Sequence, residues 1–250
     1  MQRYFVSPEQ MTEHRIQILG EDARHLIRVL RAKSGERVIV SDGAGRDWIA
    51  EIESLEDGCV TAVPLERLEA SGEPSAEVWI AQSLPKGDKF ETVVQKCTEL
   101  GASRIIPFTS ARTVVRYEEK KQVKKLERWQ KIAKEAAEQS HRSAMPIVEP
   151  LLSWNELLRC ASSVNALLCY ELENKQGLKT VLQELRSRED AANQPWLIIV
   201  GPEGGLTEAE AAEAQSAGCI SVSLGRRILR TETAAMAALA CVMYELDEMT

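Results

Sequence analysis

The chain has 250 residues and a formal net charge of −7, with 44% hydrophobic and 28% charged residues. That balance supports a packed core, excludes fibrous or wholly disordered architectures, and at this length admits one large domain or two modest ones. No apolar run reaches the roughly 18 residues of a membrane span; the longest, Ala234 to Tyr244, is too short, and the start turns acidic by Glu9, so neither a membrane span nor a signal peptide is expected.

Before Ala70, short runs of β type dominate: Arg15 to Leu19, Arg37 to Val40, Asp47 to Ile52 and Cys59 to Val63. Turn chemistry at Ser41-Asp42-Gly43 and Glu56-Asp57-Gly58 separates them, which predicts a small barrel-like β domain. One helix, Glu21 to Ala32, carries Ala23, Leu26, Ile27 and Leu30 at helical spacing. Arg24, Arg28 and Arg31 form a basic stripe opposite, suited to phosphate contacts. Ala70-Ser71-Gly72-Glu73-Pro74-Ser75 is a linker pattern, dividing the chain into residues 1–72 and 73–250.

Beyond the linker, strands alternate with helices. Val78 to Ala81 is a predicted strand, followed by a helix with Phe90, Val93, Val94 and Cys97 on one stripe up to Gly101. Arg104 to Phe108 is a strand, and a basic helix runs from about Glu119 to Ser140. Strand Val164 to Tyr170, helix Leu178 to Arg186, strand Trp196 to Val200, helix Thr207 to Ala217, strand Cys219 to Leu224 and a helix from about Thr233 to Leu246 complete the order. Apolar strands alternating with helices imply an α/β fold with a mostly parallel sheet covered on both faces. Trp48, Trp79 and Trp196 fall in strands and are expected in the core. The last helix is apolar all round from Ala234 to Tyr244, so it must be covered on every side, by its own core or by a partner.

Between Arg112 and Lys134 nine Lys and Arg stand against three Glu, a basic segment hidden inside an acidic protein. The six cysteines are scattered without Cys-x-x-Cys spacing, and His14, His25 and His141 are dispersed. No metal site is therefore expected, and the thiols suit a reducing cytoplasm.

The chemistry concentrates near the C-terminus. Leu197 to Val200 ends in Gly201-Pro202-Glu203-Gly204-Gly205, and Thr207 with Glu210 forms a capping box. Glycines at a strand's carboxyl end let a ligand approach backbone amides, at the edge where open parallel sheets bind ligands. The spacing matches neither the dinucleotide nor the phosphate-loop fingerprint. Ser221 to Gly225 repeats the plan and leads through Arg226, Arg227, Ile228, Leu229 and Arg230 into the last helix. Leu224, Ile228 and Leu229 offer apolar walls for an aromatic ring such as adenine, and Arg230 and Glu232 stand beside the expected cavity.

Gly201 to Gly205, Leu224-Gly225 and Ile228 to Ala234 together resemble the RsmE-type methyltransferases of the SPOUT superfamily. The resemblance extends to Lys86-Gly87-Asp88-Lys89, Glu99-Leu100-Gly101 with Pro107, Glu138-Gln139-Ser140 with Arg142 and Pro146, and His25 to Arg31. It covers almost the whole chain. It implies a PUA-like RNA-binding barrel over 1–72, a knotted α/β methyltransferase domain over 73–250, S-adenosylmethionine as cofactor, a homodimer, and N3 of a uridine in 16S ribosomal RNA as target. It places the cofactor against Gly201, Pro202, Glu203, Gly204, Gly205, Leu224, Gly225, Ile228 and Leu229, with Tyr170 and Glu171 adjoining. Arg24, Arg28, Arg31 and Arg142 are then the expected RNA contacts, Arg230 the cation for the reaction and Glu232 the candidate base. Two other readings stay open: a non-catalytic RNA-binding assembly factor, separated by whether the protein binds S-adenosylmethionine, and a nucleotide-dependent enzyme, separated by NAD or ATP binding.

Overall fold

The computed structural model describes residues 1–69, 72–188 and 194–249. The chain divides into two compact units, Met1–Glu73 with Lys134–Met145, and Pro74–Ala133 with Pro146–Thr250. Of the predicted linker, Ala70 and Ser71 lie outside the described residues.

The first unit holds β1 (Arg3–Phe5), β2 (Ile16–Leu19), α1 (Gly20–Arg24), β3 (Arg37–Ser41), β4 (Asp47–Glu56) and β5 (Cys59–Leu68). They form one sheet in the order β1-β3-β4-β5-β2, with only the β1–β3 pair parallel. Register shifts between Ile49 and Ala50 and between Ile52 and Ser54 break the β4–β5 ladder, the device by which small sheets bend round a core. That core contains Ile16, Ile18, Val38, Val40, Val60 and Ala62, alternate residues of their strands, together with Ile52 of β4 and Leu26 from the helical segment. The sheet is open, because its end strands β1 and β2 pair with β3 and β5 and not with each other.

The predicted helix over Glu21 to Ala32 departs from its pattern at His25, where the chain widens into a π-type turn over His25–Val29. The Leu30 N–H bonds to the His25 carbonyl five residues back at 3.0 Å. This extra residue per turn rotates the expected apolar stripe off the core: Ala23 and Leu26 are buried, but Leu30 is 40% exposed. Arg31 has left the helix with φ of +53°. Residues 134–145 belong to this unit too, and Ser143 donates to Asp47 at 2.6 Å beside the buried Arg3–Asp47 pair, also 2.6 Å.

The second unit holds β6 (Val78–Ser83), α2 (Lys89–Glu99), β7 (Arg104–Thr109), most of α3 (Glu119–Gln139), β8 (Ile147–Val148), β9 (Leu152–Ser153), α4 (Trp154–Ala161), β10 (Asn165–Cys169), α5 (Leu178–Arg186), β11 (Trp196–Val200), α6 (Glu208–Ser216), β12 (Ile220–Val222) and α7 (Thr231–Glu245). Its sheet is wholly parallel in the order β12-β10-β11-β6-β7-β8, with β9 beside β7. β11 is flanked on both sides, and all five of its residues are buried. Ile198 and Val200 enter the core shared with α2, α5 and α7, while Leu197 and Ile199 enter the one shared with α4 and α6. A strand buried on both faces requires an unbroken apolar run, which is what made it legible.

Two sequence expectations are met in part. Of the three strand tryptophans Trp196 is buried, while Trp48 and Trp79 are half-buried and pack against the edges of their cores, Trp79 with the Arg104 guanidinium 4.7 Å over its ring and its indole N–H donating to Glu77 at 2.7 Å. Helix α7 buries Ala235, Ala238, Leu239, Val242 and Met243 in the core of its own unit, while Thr233, Cys241 and Tyr244 on its other side are exposed, which leaves the partner half of that expectation open.

Candidate functional site

The carboxyl ends of four adjacent strands stop level with one another. Val222 pairs with Cys169, Cys169 with Val200, and Val200 with Gln82. The loops that follow three of them, at Tyr170–Glu171, Gly201–Gly205 and Ser223–Arg230, surround a cavity of about 480 Å³. That volume lies in the range of small-molecule sites, and the position is where parallel sheets bind ligands.

Two buried polar side chains tie the glycine turn to the start of α7. The Gln82 Nε2 donates to Thr231 Oγ1 at 2.8 Å, and the Thr231 hydroxyl donates to the Gly201 carbonyl at 2.7 Å. Gln82 is wholly buried, its Nε2 satisfied by Thr231 and the Ser83 carbonyl and its Oε1 without a hydrogen bond among the described residues. Below the turn, Thr207 and Glu210 complete the predicted capping box, and the Glu210 carboxylate also accepts from the Ala111 N–H at 2.7 Å. Arg112 donates to the Gly204 carbonyl at 2.8 Å. The turn is thus held from both flanks before any ligand arrives.

Gly205 adopts φ of +69°, the left-handed conformation that favours glycine, and the mobile end of the Glu171 side chain occupies the space where a Cβ would lie. Gly225, with φ of +104°, redirects the chain after β12 with open space on its Cβ side. Glu203 is bound by Lys89 Nζ at 3.0 Å and by the Lys86 N–H at 3.1 Å. Its partial burial acts to raise its pKa, but these donors outweigh that and hold it below the ordinary carboxylate value. Tyr170 moves the other way, its phenol raised by desolvation and by the charges of Glu208 and Glu171.

All eleven residues expected around the cofactor line this cavity, and Arg230 lines it as well. Ile228 does so from an exposed position: its side chain is 83% exposed and forms little wall, leaving Leu224 and Leu229 as the half-buried apolar surfaces. Glu232 does not line the cavity. It sits in the first turn of α7, 3.9 Å from Lys89 Nζ, and its Oε2 is buried with no hydrogen bond among the described residues.

The expected RNA contacts divide. Arg24, Arg28 and Arg31 are exposed, Arg28 pairing with Asp57 at 3.2 Å. Arg142 is instead 4% exposed and bound to Glu73 at 2.7 Å, so its charge is consumed inside the first unit and is withdrawn from the RNA-facing set. The basic segment also divides, because Lys125 and Arg128 pair with Glu91 and Lys134 with Asp22 and Glu138, while Arg116, Lys120, Lys121 and Lys124 stay exposed.

Sequence reasoning did not single out Lys89, Gln82, Thr231 or Arg112 for the site. Gln82 carried a signal, a polar residue closing the apolar run Val78 to Ala81, but its partner lies 149 positions away.

Fold and site together define a ligand-binding α/β domain whose cavity is built from backbone turns at the carboxyl edge of a parallel sheet. The RNA methyltransferase domain model matches residues 72–243, and the RNA methyltransferase PUA domain model matches residues 18–65. The chain belongs to this RNA methyltransferase family. It is 39% identical to the ribosomal RNA small subunit methyltransferase E of Bacillus subtilis, over 99% of this chain and 98% of that protein. It is 38% identical to the protein of the same name from Synechocystis, over 98% of this chain and 78% of that one. The crystal structure of ribosomal RNA small subunit methyltransferase E from Neisseria gonorrhoeae bound to S-adenosyl methionine superposes with a TM-score of 0.85 at 32% identity, covering 98% and 97% of the two chains. A putative methyltransferase of Legionella pneumophila in complex with SAM superposes with a TM-score of 0.86 at 28% identity, covering 97% and 96%.

Proposed function

We propose that this chain methylates N3 of a uridine in the 16S ribosomal RNA of the small subunit, using S-adenosylmethionine. The observation that carries the reading is the cavity of about 480 Å³ enclosed by Gly201–Gly205 and Leu224–Thr231, in a chain 39% identical along its length to a small subunit methyltransferase. The residues present fit the cofactor. Exposed backbone at the glycine turn suits the polar edge of an adenine, Leu224 and Leu229 suit its faces, and Glu171 and Glu203 at the rim suit a ligand carrying positive charge.

The bound cofactor supplies a methyl group on a sulfonium and leaves as a neutral thioether. The protein must then position N3 in line with that methyl and lower the cost of removing the N3 proton. Arg230, the N-cap residue of α7 on the cavity wall, stabilises the negative charge that develops on the uracil. Glu232 lies off the cavity wall with its Oε2 buried 3.9 Å from Lys89 Nζ, so it is set aside as the base and holds Lys89 beside the site, while the N3 proton passes to solvent at the cavity mouth. Target bases must leave any stack to enter such a cavity.

Residues 1–72 act as the RNA-binding PUA-type domain and 73–250 as the catalytic domain, with Arg24, Arg28 and Arg31 on phosphates. The trefoil knot belongs to the same reading. It is supported by β12 lying outside β10 while α7, which follows it, packs back against β11 and β6. A homodimer is supported by the uncovered side of α7, which bears no charge between Ala234 and Tyr244 and suits a second copy of itself. The protein works in the cytoplasm, where ribosomal subunits are found.

The test is incubation of the protein and labelled cofactor with small subunits from cells lacking it, followed by mapping of the modified base. N3-methyluridine at one position is the expected result. A different modified base refutes the substrate, and subunit binding without cofactor binding leaves an RNA-binding assembly factor.

A further inference from the structure

Between β12 and α7, residues 225–230 form neither helix nor strand, and they carry an unusual set of side chains for an acidic protein. Arg226, Arg227 and Arg230 are all exposed, and none of their guanidinium groups has a hydrogen bond or ion pair among the described residues. Arg24, Arg31, Arg67 and Arg116 are likewise exposed without a side-chain partner among the described residues, so what sets the strap apart is its place at the cavity, where the neighbouring Arg112 is engaged with the Gly204 carbonyl. Within the same six residues Ile228 is 83% exposed, the highest value among the exposed large hydrophobic residues. Arg227, Ile228 and Arg230 all border the cavity mouth.

We infer that this strap is the RNA-engaging element of the cavity mouth, with Arg226 and Arg227 on the phosphates flanking the target nucleotide and Ile228 in the stacking position that nucleotide vacates. The inference rests on the methyltransferase reading above and adds which surface meets the RNA. Unpaired guanidinium groups suit phosphate, since they form charge-assisted, often bidentate bonds and need give up no internal partner. An apolar side chain inserted between bases is a recurrent way to hold a stack open. The strap is also continuous with the cavity, so a base drawn out by Ile228 has a short path inward. Single-stranded RNA is the occupant to which charge and apolar tip together correspond, because a protein partner for three adjacent cations would have to be acidic and would leave the isoleucine without a role.

The test compares wild-type protein, R226A/R227A and I228S by small-subunit affinity at 50, 100 and 200 mM salt (about a fourfold span over which phosphate contacts are resolved), by S-adenosylmethionine affinity and by turnover. Removing two phosphate contacts to a single strand lowers the slope of log affinity against log salt by about 1.4 and weakens binding about tenfold or more at the lowest salt. I228S lowers turnover about tenfold or more, with cofactor affinity within about twofold of wild type. An unchanged salt slope in R226A/R227A overturns the phosphate assignment, as does a loss of cofactor affinity of the same size. Wild-type turnover in I228S overturns the stacking role. Failure of the wild-type protein to bind cofactor would instead refute the methyltransferase reading itself.

Discussion

Thr231 is the joint on which the cavity depends, and Thr231→Val tests it with little change of shape. The substitution removes the donor to the Gly201 carbonyl (2.7 Å) and the acceptor for Gln82 Nε2 (2.8 Å), at a side chain only 7% exposed. Each bond contributes about 0.5–1.5 kcal/mol, and groups left buried and unpaired add to the loss. Gln82 keeps its bond to the Ser83 carbonyl at 2.9 Å, which limits the damage on that side. The expected destabilisation is about 2 kcal/mol, a fall in melting temperature of about 4–8 °C for a chain of this size. Because the bond joins the two loops that enclose the ligand, S-adenosylmethionine affinity falls too, by about tenfold, equivalent to about 1.4 kcal/mol. Thermal melts with and without cofactor, beside titration calorimetry, measure both, and Thr231→Ser restores both. If Thr231→Val melts and binds like wild type, the two loops are not held together in this way, and the cavity cannot be assigned to their pairing.

Other expected outcomes follow from single groups. Arg230→Ala keeps cofactor binding and lowers turnover about 10²- to 10³-fold, the size of effect seen when one charge-stabilising donor is removed; single-turnover methylation of small subunits measures it, and full turnover excludes Arg230 from the reaction. Arg3→Met leaves the Asp47 carboxylate buried with only Ser143 as a remaining partner and destabilises the first unit by about 3–5 kcal/mol, read as a lower denaturant midpoint. Burial raises the Glu138 pKa to about 7, against the partial opposition of the Phe5 N–H and Lys134. A carboxyl that binds its proton more tightly when folded opposes folding once ionised, so wild-type stability falls as pH rises from about 4.5 through about 7. Glu138→Gln, which keeps an acceptor for Phe5, flattens that dependence; denaturation midpoints at pH 5 and pH 8 that differ as much in the variant as in wild type would disprove it.

The second unit was readable because its elements are local statements. Strand Trp196–Val200 and helix Leu178–Arg186 begin and end where the sequence pattern places them, one by an unbroken apolar run and the other by leucines and valine at helical spacing. Helix α4 carried an equally local signal, the Ser153–Glu156 capping box, and was missed because its eight residues are few for a periodicity to show. Other features depend on partners far along the chain. β1 is three residues long and exists by pairing with β3, and Arg3 within it is buried only because Asp47 meets it 44 positions later. Arg142 is hidden for the same reason, by Glu73. The buried side of α7 was illegible because alanine tolerates core and surface almost equally, so a helix rich in it does not declare which side is covered.

The same division of local from distant separates the parts of the candidate site. Its enclosing turns need residues of a particular backbone freedom, and those needs are written in the sequence as Gly205 after β11 and Gly225 after β12. Its polar couplings are written nowhere locally: Lys89 meets Glu203 across 114 positions and Gln82 meets Thr231 across 149, and each is a common residue until the sheet aligns the strand ends. A cavity of this kind is therefore conspicuous in sequence by its shape-making residues and silent about its electrostatics. The electrostatics are what distinguish a methyl-transferring site from a ligand-holding one, since Arg230 is placed relative to the ligand only by Thr231 holding the first turn of α7 against Gly201. Loss of the Thr231 bond should consequently reduce turnover by more than the loss of cofactor affinity alone accounts for, and kcat measured at saturating cofactor separates the two contributions.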